Sequence, residues 1–475
     1  MAKKPFQFGR FPGLPFIVLS ATFPLMCVFQ PLHAQEYLGE IYQPVQLSFT
    51  SRYEYAHPHL DVELRAEFYS PEGSGYTYRI AGFWDGDKTY RVRFAAPDTG
   101  LWTFQTFASD TGNTTLHHQT GRIRVLPASG ENTFSKKGWP RVSANSRYFS
   151  HADSSPIFLL SDAAWEMAWK STDEEVEAYI ANRKAKGFNC IQLVAMSHIY
   201  MHPYGVINQH GKKFALDDDL SFLNPRYFDH LDRIVELANA AGIVVEIVPL
   251  WGRIIEFVGE ELGYKPAVKV DEALLMARYL GARYAGHNVM WIVAGDWRYD
   301  EPQQNAFWDR FGRVLQEASG KMHLTSIHTT GFFGSFSFYG ENADWLNYHL
   351  YSVGHDIINL GYNWIGAREG YAAKPAKPVR NAETNYEDTL HKFWEVPAGT
   401  IPPRVAPVHV REAAYQSILS GAIAGFSYGQ WRVAVVNRLA AWRFVAETNR
   451  PECIGFSRRV SNGRDEKDDG EIRLV

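Results

Sequence analysis

Val289-Met290-Trp291-Ile292-Val293-Ala294-Gly295-Asp296-Trp297 is the stretch on which the reading of the fold turns. Five apolar residues in a row suit a strand buried on both faces, as in a parallel sheet, and the run ends in a glycine, a carboxylate and an indole. The same texture recurs from Pro156 onward, at Ile157–Ser161, Asn189–Val194, Val244–Val248, His323–Ile327, Trp345–Tyr351, Pro378–Ala382 and Ala422–Ser427. With Val289–Val293 these make eight candidate strands, the number a closed barrel needs. Helical patterns fill the gaps between them. Thr172 and Glu175 form a capping box before Val176, Tyr179 and Ile180, and Asn224-Pro225 opens a helix whose Tyr227, Phe228, Leu231, Ile234, Val235 and Ala238 share one face. Further helices are expected over Asp271–Tyr284, Gln303–Ala318 and His409–Leu419. A doubly wound sheet would place a glycine-rich phosphate loop after its first strand, where this chain has Ser161-Asp162-Ala163-Ala164-Trp165. The expected fold is therefore α/β, a (β/α)8 TIM barrel over residues 156–450.

Residues 36–127 read differently. Val62, Leu64, Ala66 and Phe68, then Tyr90, Val92 and Phe94, then Trp102 and Phe104, then Ile123 and Val125 alternate with polar residues, the period of strands with one buried face. Turn clusters such as Pro97-Asp98-Thr99-Gly100 separate the runs, which suggests an immunoglobulin-like β-sandwich. Residues 128–155 are a linker or hairpin leading into the barrel, and 451–475 an irregular tail. At the other end, Lys3, Lys4 and Arg10 precede an apolar stretch broken by Pro15, Pro24 and Pro31, and Leu32-His33-Ala34 resembles a cleavage site. Residues 1–34 are expected to be a secretory signal, which makes the protein secreted or periplasmic with no membrane span after cleavage.

Composition narrows the partners. The formal charge of −4 becomes more negative once the three basic residues of the signal are removed, so no nucleic acid is expected. Of three cysteines, Cys190 sits in an apolar run and reads as core, and no disulfide framework follows. Aromatic residues make up 15% of the chain, far more than a barrel core explains by itself.

In a barrel the working face is built just after each strand. Acids, histidines and large rings recur there, as a sugar site demands: hydroxyls take hydrogen bonds from polar groups, and apolar sugar faces lie on rings. Glycosidic cleavage needs two carboxyl groups. Asp296 after the fourth strand and Glu383 after the seventh stand across the mouth from each other and are the expected catalytic pair, although an acid after Gly295 could also merely cap the next helix. Asp162, Trp165, Gln192, Trp251, His328, His349, Tyr386 and Tyr428 are the expected substrate-binding residues, with Trp297, Tyr348 and Trp431 as further sugar-stacking rings. No HxH or HExxH pair is present among His198, His328, His349 and His355, so neither a metal nor another cofactor is expected.

At these same positions the sequence resembles the apiosidase-like glycoside hydrolases, glycoside hydrolase family 140. The resemblance rests on Leu160-Ser161-Asp162-Ala163-Ala164-Trp165, Asn182-Arg183-Lys184-Ala185-Lys186-Gly187-Phe188-Asn189, Pro249-Leu250-Trp251-Gly252, Trp291-Ile292-Val293-Ala294-Gly295-Asp296, Ser326-Ile327-His328, Asn381-Ala382-Glu383-Thr384-Asn385-Tyr386-Glu387 and Arg411-Glu412-Ala413-Ala414-Tyr415. It spans most of residues 40–431 and is not seen beyond Trp431. It implies a barrel hydrolase behind a β-sandwich, with Asp296 and Glu383 as the catalytic carboxyls. By likeness to retaining barrel glycosidases, it implies Glu383 as nucleophile and Asp296 as acid/base. The implied substrate is an oligo- or polysaccharide, the apiose-containing side chain of the pectin rhamnogalacturonan II. Ser161, Ala163, Ala294 and Thr384 depart from the family pattern. The competing expectation is a non-catalytic carbohydrate-binding protein with a degenerate barrel; an acyl hydrolase would need a GxSxG elbow, which is lacking.

Overall fold

The computed structural model describes residues 35–72, 75–196, 206–216, 220–259, 267–358, 360–392 and 402–430, with a short ladder between 456–457 and 473–474. The expected signal, His198, Trp431 and nearly all of the tail lie outside the described residues.

Eight strands come first: β1 (Gln35–Glu40), β2 (Val45–Thr50), β3 (Leu64–Tyr69), β4 (Thr77–Ala81), β5 (Phe83–Trp84), β6 (Thr89–Phe94), β7 (Gly100–Ala108) and β8 (Thr120–Leu126). They form two sheets, ordered β1-β8-β7-β3-β4 and β2-β6-β5, in which only the β1 and β8 pair is parallel. Every alternating apolar residue named above for this region is buried. Phe68 of one sheet stacks on Phe94 of the other with ring centres 4.1 Å apart, so the period-two pattern builds one shared core between the sheets.

The segment 128–155 does more than connect. Strands β9 (Arg141–Val142), β10 (Phe149–Ser150) and β11 (Pro156–Ile157) form a small antiparallel sheet, and Phe149 is buried against Tyr348 among the inward-facing residues of the large sheet.

That large sheet has nine strands: β12 (Leu159–Ala163), β13 (Cys190–Val194), β14 (Val244–Val248), β15 (Val289–Ile292), β16 (Thr325–Ser326), β17 (Phe333–Gly334), β18 (His349–Ser352), β19 (Val379–Glu383) and β20 (Gly425–Tyr428). Its order is β16-β15-β14-β13-β12-β20-β19-β18-β17, with only β17 antiparallel to its neighbour. The sheet curls in the manner of a TIM barrel. Where β16 would meet β18, Asn347 N–H donates to the Thr325 carbonyl at 2.8 Å and Ser326 Oγ donates to the Tyr348 carbonyl at 2.6 Å. Alternation sorts the strands into two cores: Val245, Ile247 and Trp291 face the helices, whereas Val244, Val248, Met290 and Ile292 face inward.

The helices follow the expected punctuation. Thr172 and Glu175 form the capping box of the helix Asp173–Ala185, and Asn224 caps Pro225–Ala240. Val270–Arg283, Pro302–Ala318 and Pro407–Leu419 fall where the pattern puts them. A helix at Tyr362–Ala372 was not expected. Its packing face is made of small residues: a Cβ on Gly366 would lie 2.6 Å from the Tyr351 ring, and one on Gly370 2.9 Å from Val379. Glycines let this helix approach β18 and β19 closely but give it no apolar stripe to read.

The N-terminal sheets are fixed to the helical layer by a buried charge network. Arg93 of β6 donates to Asp232 at 2.6 Å, and Arg283 donates to Asp232 at 2.9 Å and to Asp85 at 2.8 Å. The two guanidinium groups hold the buried Asp232 carboxyl far below its ordinary range.

Candidate active site

The site starts from a close approach at the end of β15. A Cβ on Gly295 would lie 2.6 Å from the Trp251 ring, so only glycine lets the chain pass over that indole. The next residue, Asp296, then turns out of the strand in the left-handed region, with φ of 49°. Asp tolerates that conformation better than most residues, and strained backbone of this kind gathers at functional sites. Its Oδ2 accepts from Arg253 Nη2 at 2.7 Å, while Arg253 Nε donates to the Asp296 carbonyl at 3.2 Å.

Glu383 reaches the same mouth by a different device. On β18 and β19, Tyr351 pairs with Asn381 but Ser352 pairs with Glu383, so Ala382 is an extra residue in the ladder. Without this bulge, Glu383 would share the face of Asn381, whose side chain bonds Asn363 and Ser417 of the outer helices. The bulge re-aims it inward. Ser352 Oγ donates to Glu383 Oε2 at 3.3 Å, and Tyr386 also hydrogen-bonds the carboxylate.

Two histidines flank Glu383: His328 Nε2 lies 3.4 Å from Oε2 and His355 Nε2 3.7 Å from Oε1. Burial lowers His328 to about 4 and His355 to about 3, so both are neutral at pH 7. The backbone holds both rings: His328 Nδ1 lies 3.4 Å from Asp296 N–H and His355 Nδ1 3.2 Å from Tyr386 N–H, and the rings also bond the main chain at Thr329 and Thr384. His328 thus touches the Asp296 backbone with one nitrogen and the Glu383 side with the other.

The electrostatics are those of a coupled pair. Burial first, and the negative charge of Asp296 second, push Glu383 up to about 7. Burial also raises Asp296, against the pull of Arg253. Beneath the mouth lies a second buried pair, Arg380 with Glu246, to which Tyr348 OH donates at 2.9 Å; Arg380 also donates to Ser161 Oγ and, at 2.7 Å, to Ser427 Oγ.

Six expected residues therefore meet: Asp296, Glu383, Trp165, Trp251, His328 and Tyr386. Trp165 Nε1 donates to Tyr386 OH at 2.8 Å, and its ring stands edge-on to Trp251 and His328. All four of these supporting side chains are buried, so they floor the site instead of walling it; Trp297 is the half-buried ring beside Asp296, under the Arg253 guanidinium. Gln192 is buried on β13, and neither end of its amide has a hydrogen-bond partner among the described residues.

Three expected substrate-binding residues lie elsewhere. Asp162 belongs to β12 itself and points at the helix Asp173–Ala185, paired with Arg183 and accepting from Tyr179 OH at 2.7 Å. His349 turns outward to Ser335, 3.0 Å away, and to the Phe336 ring. Tyr428 packs with Phe188 and Val410 under the helices and donates to Glu387 at 3.2 Å. Tyr348, expected as a stacking ring, is buried on Glu246. For the first three the cause is common, since alternation along the strand turns them to the helix side; Tyr348 faces inward but lies beneath the mouth. Arg253, Ser352 and His355 were not singled out as site residues from the sequence; Arg253 follows the Trp251-Gly252 motif directly, the one local signal that could have marked it.

Comparison with known proteins bears on the family and the fold. The model of the apiosidase-like catalytic domain matches residues 143–449, continuing past Trp431, where no likeness was seen, and a domain of unknown function, DUF5060, matches 39–109. No curated protein matches. A candidate glycoside hydrolase of Bacteroides vulgatus superposes with a TM-score of 0.62 at 20% identity, over 83% of this chain and 72% of that one. A glycoside hydrolase family 5 structure from the same organism gives 0.54 at 25% identity, over 63% and 64%. Because the catalytic-domain model covers well over half of its length, this chain belongs to the apiosidase-like family, and it is a glycoside hydrolase.

Proposed function

We propose that the protein is an exported hydrolase of a pectic polysaccharide, releasing apiose, with Asp296 and Glu383 as its paired carboxyls in a retaining mechanism. In the same reading its curled sheet is a full (β/α)8 barrel and its N-terminal sheets an immunoglobulin-like sandwich. The observation that carries the proposal is the coupling of the two carboxyls: Glu383 stays protonated up to about 7 because it is buried and, second, because Asp296 is charged beside it. Such a pair holds one proton between two groups near neutrality, the state from which acid and nucleophile roles divide.

Arg253 sets how they divide. It engages Oδ2 of Asp296, with Thr330 and Trp251 also bonded to the carboxyl, and so holds in place the group that carries the shared proton toward a glycosidic oxygen. As the proton passes from Glu383 to Asp296, Glu383 becomes the ionised nucleophile, held by Ser352 and Tyr386. Asp296 then protonates the leaving group while Glu383 attacks the anomeric carbon, and water completes hydrolysis with Asp296 as base. Gln192, with its amide unengaged, is poised for a sugar hydroxyl. Among the described residues no helix is long and apolar enough to cross a membrane.

The test separates the roles by leaving group. With an activated aryl glycoside, whose departure needs no proton, Asp296→Asn should still release a burst of phenol, whereas Glu383→Gln should release none. A burst from Glu383→Gln and none from Asp296→Asn would reverse the assignment. Failure to liberate apiose from rhamnogalacturonan II side chains would refute the substrate.

A further inference from the structure

At the helices Asp173–Ala185 and Pro225–Ala240, three side chains from three separate segments converge. Asp173 opens the helix Asp173–Ala185, His230 sits in the helix Pro225–Ala240, and His210 lies in the connection between β13 and that helix. Asp173 Oδ1 is 3.2 Å from His210 Nε2 and 3.0 Å from His230 Nδ1, and the two ring nitrogens are 3.2 Å apart. Three ligand-type atoms thus form a nearly equilateral triangle.

The size of that triangle is informative. A zinc ion about 2.0–2.1 Å from tetrahedral ligands keeps those ligands roughly 3.3 Å from one another. Protons explain the arrangement less completely. Two N–H groups can each point at Oδ1, but they then face one another across the third edge, whereas one cation engages all three lone pairs at once. The surroundings are also divided: Arg233 Nε lies 3.5 Å from Oδ2 of Asp173, which neutralises that oxygen and leaves Oδ1 directed at the imidazoles.

The supporting contacts hold the ligands in place. The His230 side chain is 1% exposed, so its ring is fixed by packing. His210 is carried on a turn built around Asn208, whose Oδ1 accepts from the N–H groups of His210 and Lys212, both at 3.0 Å, and whose Nδ2 donates to the Tyr227 carbonyl at 3.1 Å. The His210 side chain is 45% exposed, which leaves a fourth position open to water.

We propose that Asp173, His210 and His230 bind one zinc-class divalent cation, with water as fourth ligand. Two imidazoles and one carboxylate select zinc over magnesium or calcium, which take oxygen ligands. Its work is structural: it clamps the turn that carries His210 onto the helices Asp173–Ala185 and Pro225–Ala240.

The full-length protein, prepared without a histidine tag and stripped with a chelator, is titrated with zinc chloride. The expected result is one equivalent bound per chain and a rise in melting temperature of several degrees. His210→Ala, half-exposed and outside the catalytic site, should fold, weaken zinc at least tenfold and abolish the rise; Asp173→Asn should behave likewise. Cobalt in its place should give the intense visible absorption of a tetrahedral site in the native chain and not in either variant. Unaltered zinc stoichiometry and melting shift in both variants would overturn the proposal, as would no binding at micromolar zinc by the native protein.

Discussion

Replacing Glu383 by Gln should make the protein more stable while abolishing its activity, and the gain should depend on pH in a defined way. Glu383 titrates near its ordinary value of 4.5 in the unfolded chain and at about 7 in the folded one, because burial and the Asp296 charge disfavour its ionised form. Between those values the folded chain holds a proton that the unfolded chain has released, so stability falls as pH rises through this window. At about 1.4 kcal/mol for each pH unit, the loss amounts to about 3 kcal/mol above pH 7. The side chain is only 16% exposed, so solvent screens little of it. Gln resembles the protonated acid and loses nothing as pH rises. The two proteins should therefore melt together near pH 4 and separate above pH 7, with the variant higher by about 3 °C. Calorimetric scans from pH 4 to 8 at constant ionic strength measure this. A difference independent of pH, or a variant less stable at pH 8, would refute the electrostatic reading of the pair.

Other consequences follow from the same contacts. The falling limb of kcat/KM with pH reports loss of the proton shared by Asp296 and Glu383, so it should lie near 7; Arg253→Met removes a cation that favours both ionised forms and should move that limb upward, and an unmoved or lowered limb would exclude Arg253 as the tuning group. Breaking the buried Arg380 and Glu246 pair by Arg380→Met alone should cost about 3–5 kcal/mol in denaturant unfolding, with much of the loss recovered when Glu246→Gln is added. Arg93→Met strips one of the two cations from Asp232 and should lower the melting temperature through the seam between N-terminal sheets and barrel, leaving KM unchanged.

How far these properties are legible in the sequence depends on what each signal encodes. Val289–Ile292 is a strand in the sequence and in the structure because an unbroken apolar run reports burial on both faces directly. The ends of β16 and β18 slid by several residues, since these strands are short and their boundaries are set by Asn347 and Gln316 hydrogen bonds across the seam, which no local pattern reports. The helix Tyr362–Ala372 was hidden by the glycines that let it pack.

The same distinction explains the site. A residue that follows a buried strand was read as facing the mouth, yet one residue of register reverses its side. Asp162 and Tyr428 fall within their strands on the helix side, so their polar groups serve Arg183, Tyr179 and Glu387. Glu383 should have joined them by strict alternation, because it shares the parity of Asn381; only the extra residue at Ala382 brings it to Ser352 and the histidines. The strand-end motif thus places Glu383 beside Asp296 for a reason the motif does not contain. A chain with the same motif but no bulge would bury that carboxylate among the helices, where it would need a partner such as Arg183 and could not meet Asp296. Removing Ala382 tests this. Glu383 would then follow Asn381 directly, and a regular ladder would keep it opposite Ser352 on the face away from Asn381, so the deletion should retain measurable hydrolysis; complete loss of activity in a folded deletion would show that alternation alone does not aim the carboxylate.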